Sequence, residues 1–469
     1  MSVAPAGAAP ADLHVRLAPG VLVGDGGRVL VGGAPSRLIR LSEPGAALLA
    51  GWRSGTPIGT AAAARSLARR LLDGGLLVPE PEPAPTADLT VVVPAHGREG
   101  ALARCLRSIA ETVPDAALVV VDDGSPDAQA VAGIAAAHGA TLVRHPQSRG
   151  PSAARNSGLA RARTPLVAFV DSDVVVTAGC LSRLAGHFAD DTVAAVAPRI
   201  RALEPEGGTI ITYEAGHSAL DMGRTPSRVA PGAPVSYVPS ATLVVRRAAI
   251  DEGFDEALRL AEDVDLVWRL GVAGWTVRYD PSVHVLHEHL ATAPAFVRRR
   301  FAYASSIGLL AARHPRALAA VHADGATASV GLALTGRPFA AAAATARVAW
   351  RTHALLAPRV EHPARLGATL TARSLLSAGR SLAHAARRPW WPALALTATR
   401  RPRAGLLLAG ALVVGLVEER PRRPSHAALC VADDLIAGAG TWWSCLRWRT
   451  IAPLLPRRGL SAGGRHAGA

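Results

Sequence analysis

The stretch that most restricts the fold is Leu166-Val167-Ala168-Phe169-Val170, an unbroken apolar run that ends abruptly in Asp171-Ser172-Asp173. A short run with no polar interruption marks a strand covered on both faces of a parallel sheet. Carboxylates at its carboxyl end lie where open α/β sheets leave a crevice for ligands. If strand geometry carries through, residues i and i+2 point the same way, and Asp171 and Asp173 then address one hard cation and the phosphate oxygens it holds. A solvated turn with two incidental acids has the same letters, so the surrounding pattern must decide.

That pattern is strand, helix, strand, helix. Leu89 to Val93 reads as a buried strand ended by Pro94, and Glu99 to Thr112 as a helix. Ala117 to Val121 is the next strand, ended by Asp122-Asp123-Gly124-Ser125, followed by a helix from Asp127 to His138 and a strand at Thr141-Leu142-Val143. Gly150-Pro151-Ser152-Ala153-Ala154-Arg155-Asn156-Ser157-Gly158 opens a helix that leads into the 166–170 strand. Alternation of this kind implies an α/β fold with right-handed crossovers. Three strand ends then present Pro94-Ala95-His96, Asp122-Asp123 and Asp171-Ser172-Asp173 on one rim, which packing alone does not require.

These motifs, together with Ala261-Glu262-Asp263-Val264-Asp265-Leu266 and Trp268-Arg269, resemble the family 2 glycosyltransferases of the GT-A fold over about residues 88–290. The resemblance implies a Rossmann-like nucleotide-sugar domain. It implies a divalent cation, Mg2+ or Mn2+, held by Asp173 with Asp171, the latter also near the ribose. It implies a uracil contact from Asp122 or Asp123, base or phosphate contact from Arg155, and a base-stacking wall from Pro94 and His96. His96-Gly97 stands where the family usually has tyrosine and asparagine. Asp263 takes the place of the general base for an acceptor hydroxyl, with Glu262 supporting it; two acids opening a helix also suit its dipole without any chemistry. His284, His287 and His289 alternate along an apparent strand, and His287 is carried over as a third metal ligand. Val235 to Val245 is read as the segment under the acceptor.

Residues 1–80 read as a separate module. Val21-Leu22-Val23 and Arg28-Val29-Leu30-Val31 flank Gly24-Asp25-Gly26-Gly27 as a hairpin. Ser42 is placed to cap one helix, and a second, Ala61 to Leu72, stops at Gly74-Gly75. The pattern is winged-helix-like and resembles PqqD-related peptide-recognition domains, which implies docking of a peptide along a strand edge. Basic residues are not gathered on a recognition helix, so no nucleic-acid partner is expected. Pro81 to Pro85 lies in a proline-alternating linker, taken as residues 81–87.

Residues 291–469 carry Ala-rich helical patterns. Ala404 to Val417 is uncharged but shorter than the roughly 20 residues a span requires. Arg400, Arg401, Arg403, Arg420, Arg422 and Arg423 flank it, and Trp390-Trp391 and Trp442-Trp443 are candidates for a membrane–water boundary. The net charge of +15 comes entirely from arginine, since lysine is absent; it suits either anionic lipid and phosphorylated substrates or a compositional bias of the genome. Cys105, Cys180, Cys430 and Cys445 form no C-x-x-C pair, which excludes a zinc ribbon and fits a reducing compartment. The N-terminus lacks a signal-peptide pattern, so the expected location is the cytoplasmic face, in association with the membrane.

A peptide-recognition-like module before a family 2 domain and a helical tail resembles the glycosyltransferases of mycofactocin pathways. That resemblance implies an inverting enzyme moving glucose from UDP-glucose onto a peptide-derived redox cofactor and building a β-1,4-glucan. A lipid- or envelope-polysaccharide-directed transferase, and an inactive peptide-binding scaffold, stay open at this point.

Overall fold

The computed structural model describes residues 2–5, 7–204, 206–289, 292–420 and 423–458, so Arg422 lies outside the described residues. β-Branched runs and two short helices build the first module: β1 (His14–Leu17), β2 (Leu22–Gly24), β3 (Val29–Gly32), β4 (Arg37–Arg40), α1 (Glu43–Arg53), α2 (Ala62–Asp73) and β5 (Leu77–Glu80). Strands β2, β3 and β4 form an antiparallel sheet, and β1 pairs with β5. The Ser42 hydroxyl accepts from the Gly45 N–H at 3.3 Å and caps α1. Leu30, Leu49, Leu71 and Leu76 close its core.

The central sheet and its helices follow: β6 (Leu89–Ala95), α3 (Glu99–Thr112), β7 (Ala117–Asp123), α4 (Ala128–Ala137), β8 (Thr141–His145), α5 (Pro151–Arg161), β9 (Leu166–Val170), β10 (Val174–Val176), α6 (Cys180–Gly186), β11 (Val193–Ala202), α7 (Thr209–His217), β12 (Ser227–Arg228), β13 (Thr242–Arg246), α8 (Glu262–Val272) and β14 (Thr276–His287). The strand order is β10-β14-β11-β13-β9-β6-β7-β8, with β12 added on β14. β9, β6, β7 and β8 run parallel, as the alternation predicts. β13 is antiparallel to both β9 and β11, which makes the sheet mixed. This is a GT-A-like α/β architecture.

Both faces of β6 are covered, which is why its sequence is apolar without alternation. Leu89, Val91 and Val93 pack with Leu102, Leu106 and Ile109 of α3. On the other face α5 comes so close that a Cβ on Gly158 would lie 2.2 Å from Val92 Cγ1. At the end of β7, Gly124 takes φ +74°, where the backbone of Gln147 and Ser148 leaves no room for a side chain.

The described chain divides into two compact units, Met1–His289 and Leu290–Ala469. The second holds α9 (Ala293–Ala304), α10 (Ile307–Arg313), β15 (Val321–Ala323), α11 (Gly325–Leu334), α12 (Pro338–Leu356), α13 (Pro363–Arg387), α14 (Trp391–Ala398), α15 (Pro402–Glu419), α16 (Pro424–Arg447) and β16 (Pro456–Arg458). Asp434 of α16 binds Arg387 and Arg388, each at 2.6 Å. The indole N–H groups of Trp390, Trp391 and Trp442 donate to the carbonyls of Leu454, Leu435 and Pro389. Those tryptophans tie the start of α14 to α16 and to the segment after it. Among the described residues no helix is long and apolar enough to cross a membrane.

Gly158→Ala is expected to cost about 1–3 kcal/mol through overpacking against Val92. Denaturant melts of Gly158→Ala, Val92→Ala and the double variant check this, the double losing less than the two single changes together.

Candidate active site

The carboxyl ends of β6, β7 and β9 form the rim, and register sets what meets there. Ala95 pairs with Asp122, Asp122 with Arg144, and Asp123 with His145. Asp122 is fully buried, accepting from the Ser125 N–H at 2.8 Å and from Arg144. Asp123 accepts from the N–H groups of Arg149 (2.9 Å) and Gly150 (2.8 Å), the Ser148 hydroxyl (2.7 Å) and His145 Nδ1 (2.7 Å). Burial alone would raise its pKa; those donors outweigh it and hold the carboxyl below the usual range. The two acids therefore brace the 145–150 loop, and little of either carboxylate faces outward. His96 is exposed, its ring fixed by Nδ1 donating to the Asp123 carbonyl at 2.8 Å, beside half-buried Pro94.

β9 stops at Val170, and Asp171-Ser172-Asp173 is a turn closed by the Val174 N–H on the Asp171 carbonyl at 3.0 Å. The expectation that strand geometry continues through both acids is thus corrected. Asp171 accepts from Arg155 Nη2 at 2.7 Å, whereas Asp173 accepts from Arg98 Nη1 at 2.7 Å. His287, at the end of β14, places Nε2 3.5 Å from Asp173 Oδ1. Burial, with the Asp173 charge against the opposing pull of Arg155, raises the Asp171 pKa. Among the described residues no three His, Cys, Asp or Glu side chains are gathered as a metal cluster. The donor set of Asp171, Asp173 and His287 is nevertheless chemically suited to a hard divalent cation, and the mutual repulsion of the two acids favours one.

Arg155, 3% exposed, joins the rim to α8. Its Nη1 donates to Glu262 Oε1 at 3.0 Å, and its guanidinium lies 5.4 Å from the Phe254 ring centre. Glu262 is thereby committed to an ion pair. Asp263 is not: among the described residues it accepts only from backbone N–H groups, Ser240 at 3.1 Å and Val264 at 2.8 Å. Burial and the Glu262 charge push its pKa up to about 7. Ala261, immediately before the pair, is held at φ +63°, a strained value for a residue with a Cβ.

Sequence reasoning missed Arg98, Arg144, His145, Phe254 and Glu288, which brace the acids. Arg98 and Arg104 share Glu288, whose own N–H bonds the Asp173 carbonyl at 3.1 Å. No motif announces such residues, since each meets the rim only through tertiary register. His289 sits beside His287, with ring centres 5.2 Å apart and its Nδ1 3.9 Å from Glu214.

The profile described as "Glycosyl transferase family 2" matches residues 90–254. The chain is 37% identical over 467 residues to the "Pre-mycofactocin glycosyltransferase" of Mycobacterium tuberculosis (strain CDC 1551 / Oshkosh), covering 95% of this chain and 96% of the relative. The chain belongs to the pre-mycofactocin glycosyltransferase family. It is a family 2 glycosyltransferase. It is also 30% identical over 199 residues to the succinoglycan biosynthesis protein ExoU of Rhizobium meliloti (strain 1021), covering 40% of this chain and 57% of that protein. A solved mannosyltransferase from Pyrobaculum calidifontis aligns over 78% of this chain and 90% of its own, with a TM-score of 0.45 and 20% identity. In this glycosyltransferase the profile match stops before Glu262 and Asp263, which open α8.

The raised pKa of Asp263 carries a stability cost with a definite sign. Below the unfolded value, near 4, both states are protonated and there is no cost. As pH rises the unfolded state ionises first, and above about 7 the full penalty remains. Asp263→Asn is expected to stabilise the protein by about 2–4 kcal/mol at pH 8 and by almost nothing at pH 4. Urea melts at the two pH values check it.

Proposed function

We propose that this glycosyltransferase transfers glucose from UDP-glucose to pre-mycofactocin, a peptide-derived redox cofactor, with inversion, and extends a β-1,4-linked glucan. The observation that carries the mechanism is Asp263, the one acid of the group held only by backbone donors and with its pKa raised to about 7. The acceptor rests on the full-length similarity to the mycobacterial relative.

The acceptor hydroxyl approaches beside Ser240, and Asp263 takes its proton as the oxygen attacks the anomeric carbon. The bond from that carbon to the diphosphate breaks, UDP departs with the bonding pair, and Asp263 returns the proton to solvent. One base opposite the leaving group suffices for a single displacement, which inverts the configuration. Glu262, held by Arg155, supplies the neighbouring charge that together with burial raises the Asp263 pKa. Pro94 and His96 flank the uracil. Asp122 and Asp123 shape the loop around it and offer the uracil N–H any lone pair their own bonds leave. Asp171, Asp173 and His287 would hold Mg2+ or Mn2+, which when bound offsets the charge developing on the diphosphate.

Residues 1–80 supply peptide recognition in this reading, since β2 and β4 are the edges of their sheet and an extended segment can pair there. The second unit supports a further reading, peripheral contact with anionic lipid. Phe339 (91%) and Trp350 (69%) stand exposed on α12 with Arg347 and Arg351, and Leu406 (72%) and Val417 (66%) on α15, which Arg400, Arg401 and Arg403 lead into. Flotation with anionic vesicles that is lost in high salt is the expected result; no flotation at low salt removes this reading.

The deciding assay is UDP release from UDP-glucose with pre-mycofactocin supplied as acceptor. Asp263→Asn is expected to lower kcat by about 10²–10⁴-fold. In the parent enzyme, kcat rises with pH and levels off above about 7, because the base must be ionised; the variant lacks this limb. Chelation is expected to abolish turnover and Mn2+ or Mg2+ to restore it. Unchanged turnover in Asp263→Asn, or an α-linked product by NMR, would refute the mechanism; UDP release only with a lipid acceptor would refute the substrate.

A further inference from the structure

A cleft of about 110 Å³ lies between the N-terminal module and the catalytic sheet, away from the donor rim. Its floor is the first half of β14, whose far end carries His287. Strand β12 pairs with β14 so that Arg228 stands directly opposite Arg278. Like charges so placed repel unless an anion sits with them.

The module contributes part of the answer. Arg278, 5% exposed, pairs through Nη2 with Asp190, which also binds Arg69 of α2 at 2.6 Å. Arg228 donates Nη1 to the Asp73 carbonyl at 3.3 Å. Arg278 Nη1 and Arg228 Nε nevertheless remain buried with no partner among the described residues. Arg228 and Arg278 line the cleft together with Asp73 and Asp280, and Arg69, Arg183 and Asp190 pair with these from behind.

His187, 3% exposed, adds a group of opposite character. Its Nε2 meets Asp280 Oδ2 at 2.9 Å; a carboxylate only accepts, so Nε2 carries the proton. Burial lowers the ring's pKa, and the neutral ring therefore presents a lone pair at Nδ1, which is likewise buried and unpartnered among the described residues. Leu72, Leu77, Pro79, Pro226 and Pro234 make the remaining wall apolar.

Two guanidinium donors, one imidazole acceptor and an apolar wall match one chemistry. We propose that this cleft binds the C-terminal carboxylate of a short peptide ending in an apolar residue. The carboxylate accepts from Arg228 Nε and Arg278 Nη1, the last amide N–H donates to His187 Nδ1, and the terminal side chain covers Leu72, Leu77 and Pro226. A bare inorganic oxyanion satisfies the arginines but leaves the apolar wall uncovered.

The test is calorimetric titration of the full chain with N-acetyl-Ala-Val, its C-terminal amide, and inorganic phosphate. The free acid is expected to bind at least about tenfold more tightly than either the amide or phosphate, because a charge-assisted pair is lost in the first case and the apolar contact in the second. Arg228→Gln, a half-buried position outside the catalytic rim, is expected to weaken the acid about tenfold with UDP binding unchanged. Ala18→Trp, which fills the cleft without touching its charges, is expected to do the same. Equal binding of acid and amide, tighter binding of phosphate, no binding of any probe, or full affinity in both variants overturns the proposal.

Discussion

The site depends on one buried guanidinium. Arg155 comes from α5, Asp171 from the end of β9 and Glu262 from the start of α8, and one side chain bridges the two acids. Phe254 lies under it and itself packs edge-on against Phe169, with ring centres 5.1 Å apart. Removing one partner of a buried ion pair costs about 3–5 kcal/mol because the charge left behind is neither solvated nor paired. Here loss of the arginine would strand two carboxylates. The approach of α5 that makes the bridge possible needs Gly158 against Val92, so a packing constraint sets the electrostatics less than one helical turn away.

The rim divides its acids by the kind of donor each receives. Asp122 and Asp123 hold a loop, through Arg144 and through His145 with its neighbours; Glu262, Asp171 and Asp173 are each held by an arginine; Asp263 has two backbone amides and, among the described residues, no charged donor. A carboxyl with no cationic donor, little water and a charged neighbour has a raised pKa, and that is the condition for a base working near neutrality. The chemistry therefore follows from where cationic donors are withheld. The positive φ at Ala261 is what aims the Glu262-Asp263 pair so that the two residues diverge, one toward Arg155 and the other toward Ser240.

The sequence made the strand ends legible because buried parallel strands are written as continuous apolar runs, and the acids that interrupt them are conspicuous. Ser42 and Gly74 marked helix ends for equally local reasons. What was not legible is register. Arg144 opposite Asp122 and His145 opposite Asp123 result from how β8 slides against β7, and the sequence of either strand alone does not fix that alignment. Arg98 on Asp173 is hidden for a second reason, since it requires a left-handed residue at the start of α3 that is not glycine. The turn at Asp171–Asp173 was misread as strand because alternation is too short a signal across three residues to separate the two.

The junction of the first module obeys the same rule as the rim. Asp190 receives Arg69 from α2 and Arg278 from β14, and these arginines hold its pKa down to about 2 against burial. A carboxylate shared between two arginines from different parts of the chain fixes their separation more firmly than an apolar seam, since sliding would leave a charge unpaired. The module is thus positioned by a bond network of defined geometry. Its cost is that Arg278 and Arg228, drawn together on paired strands, keep N–H groups that no described residue uses. Buried donors are normally satisfied. Two of them beside a lone imidazole acceptor make that junction chemically incomplete in a way the apolar contacts around it are not.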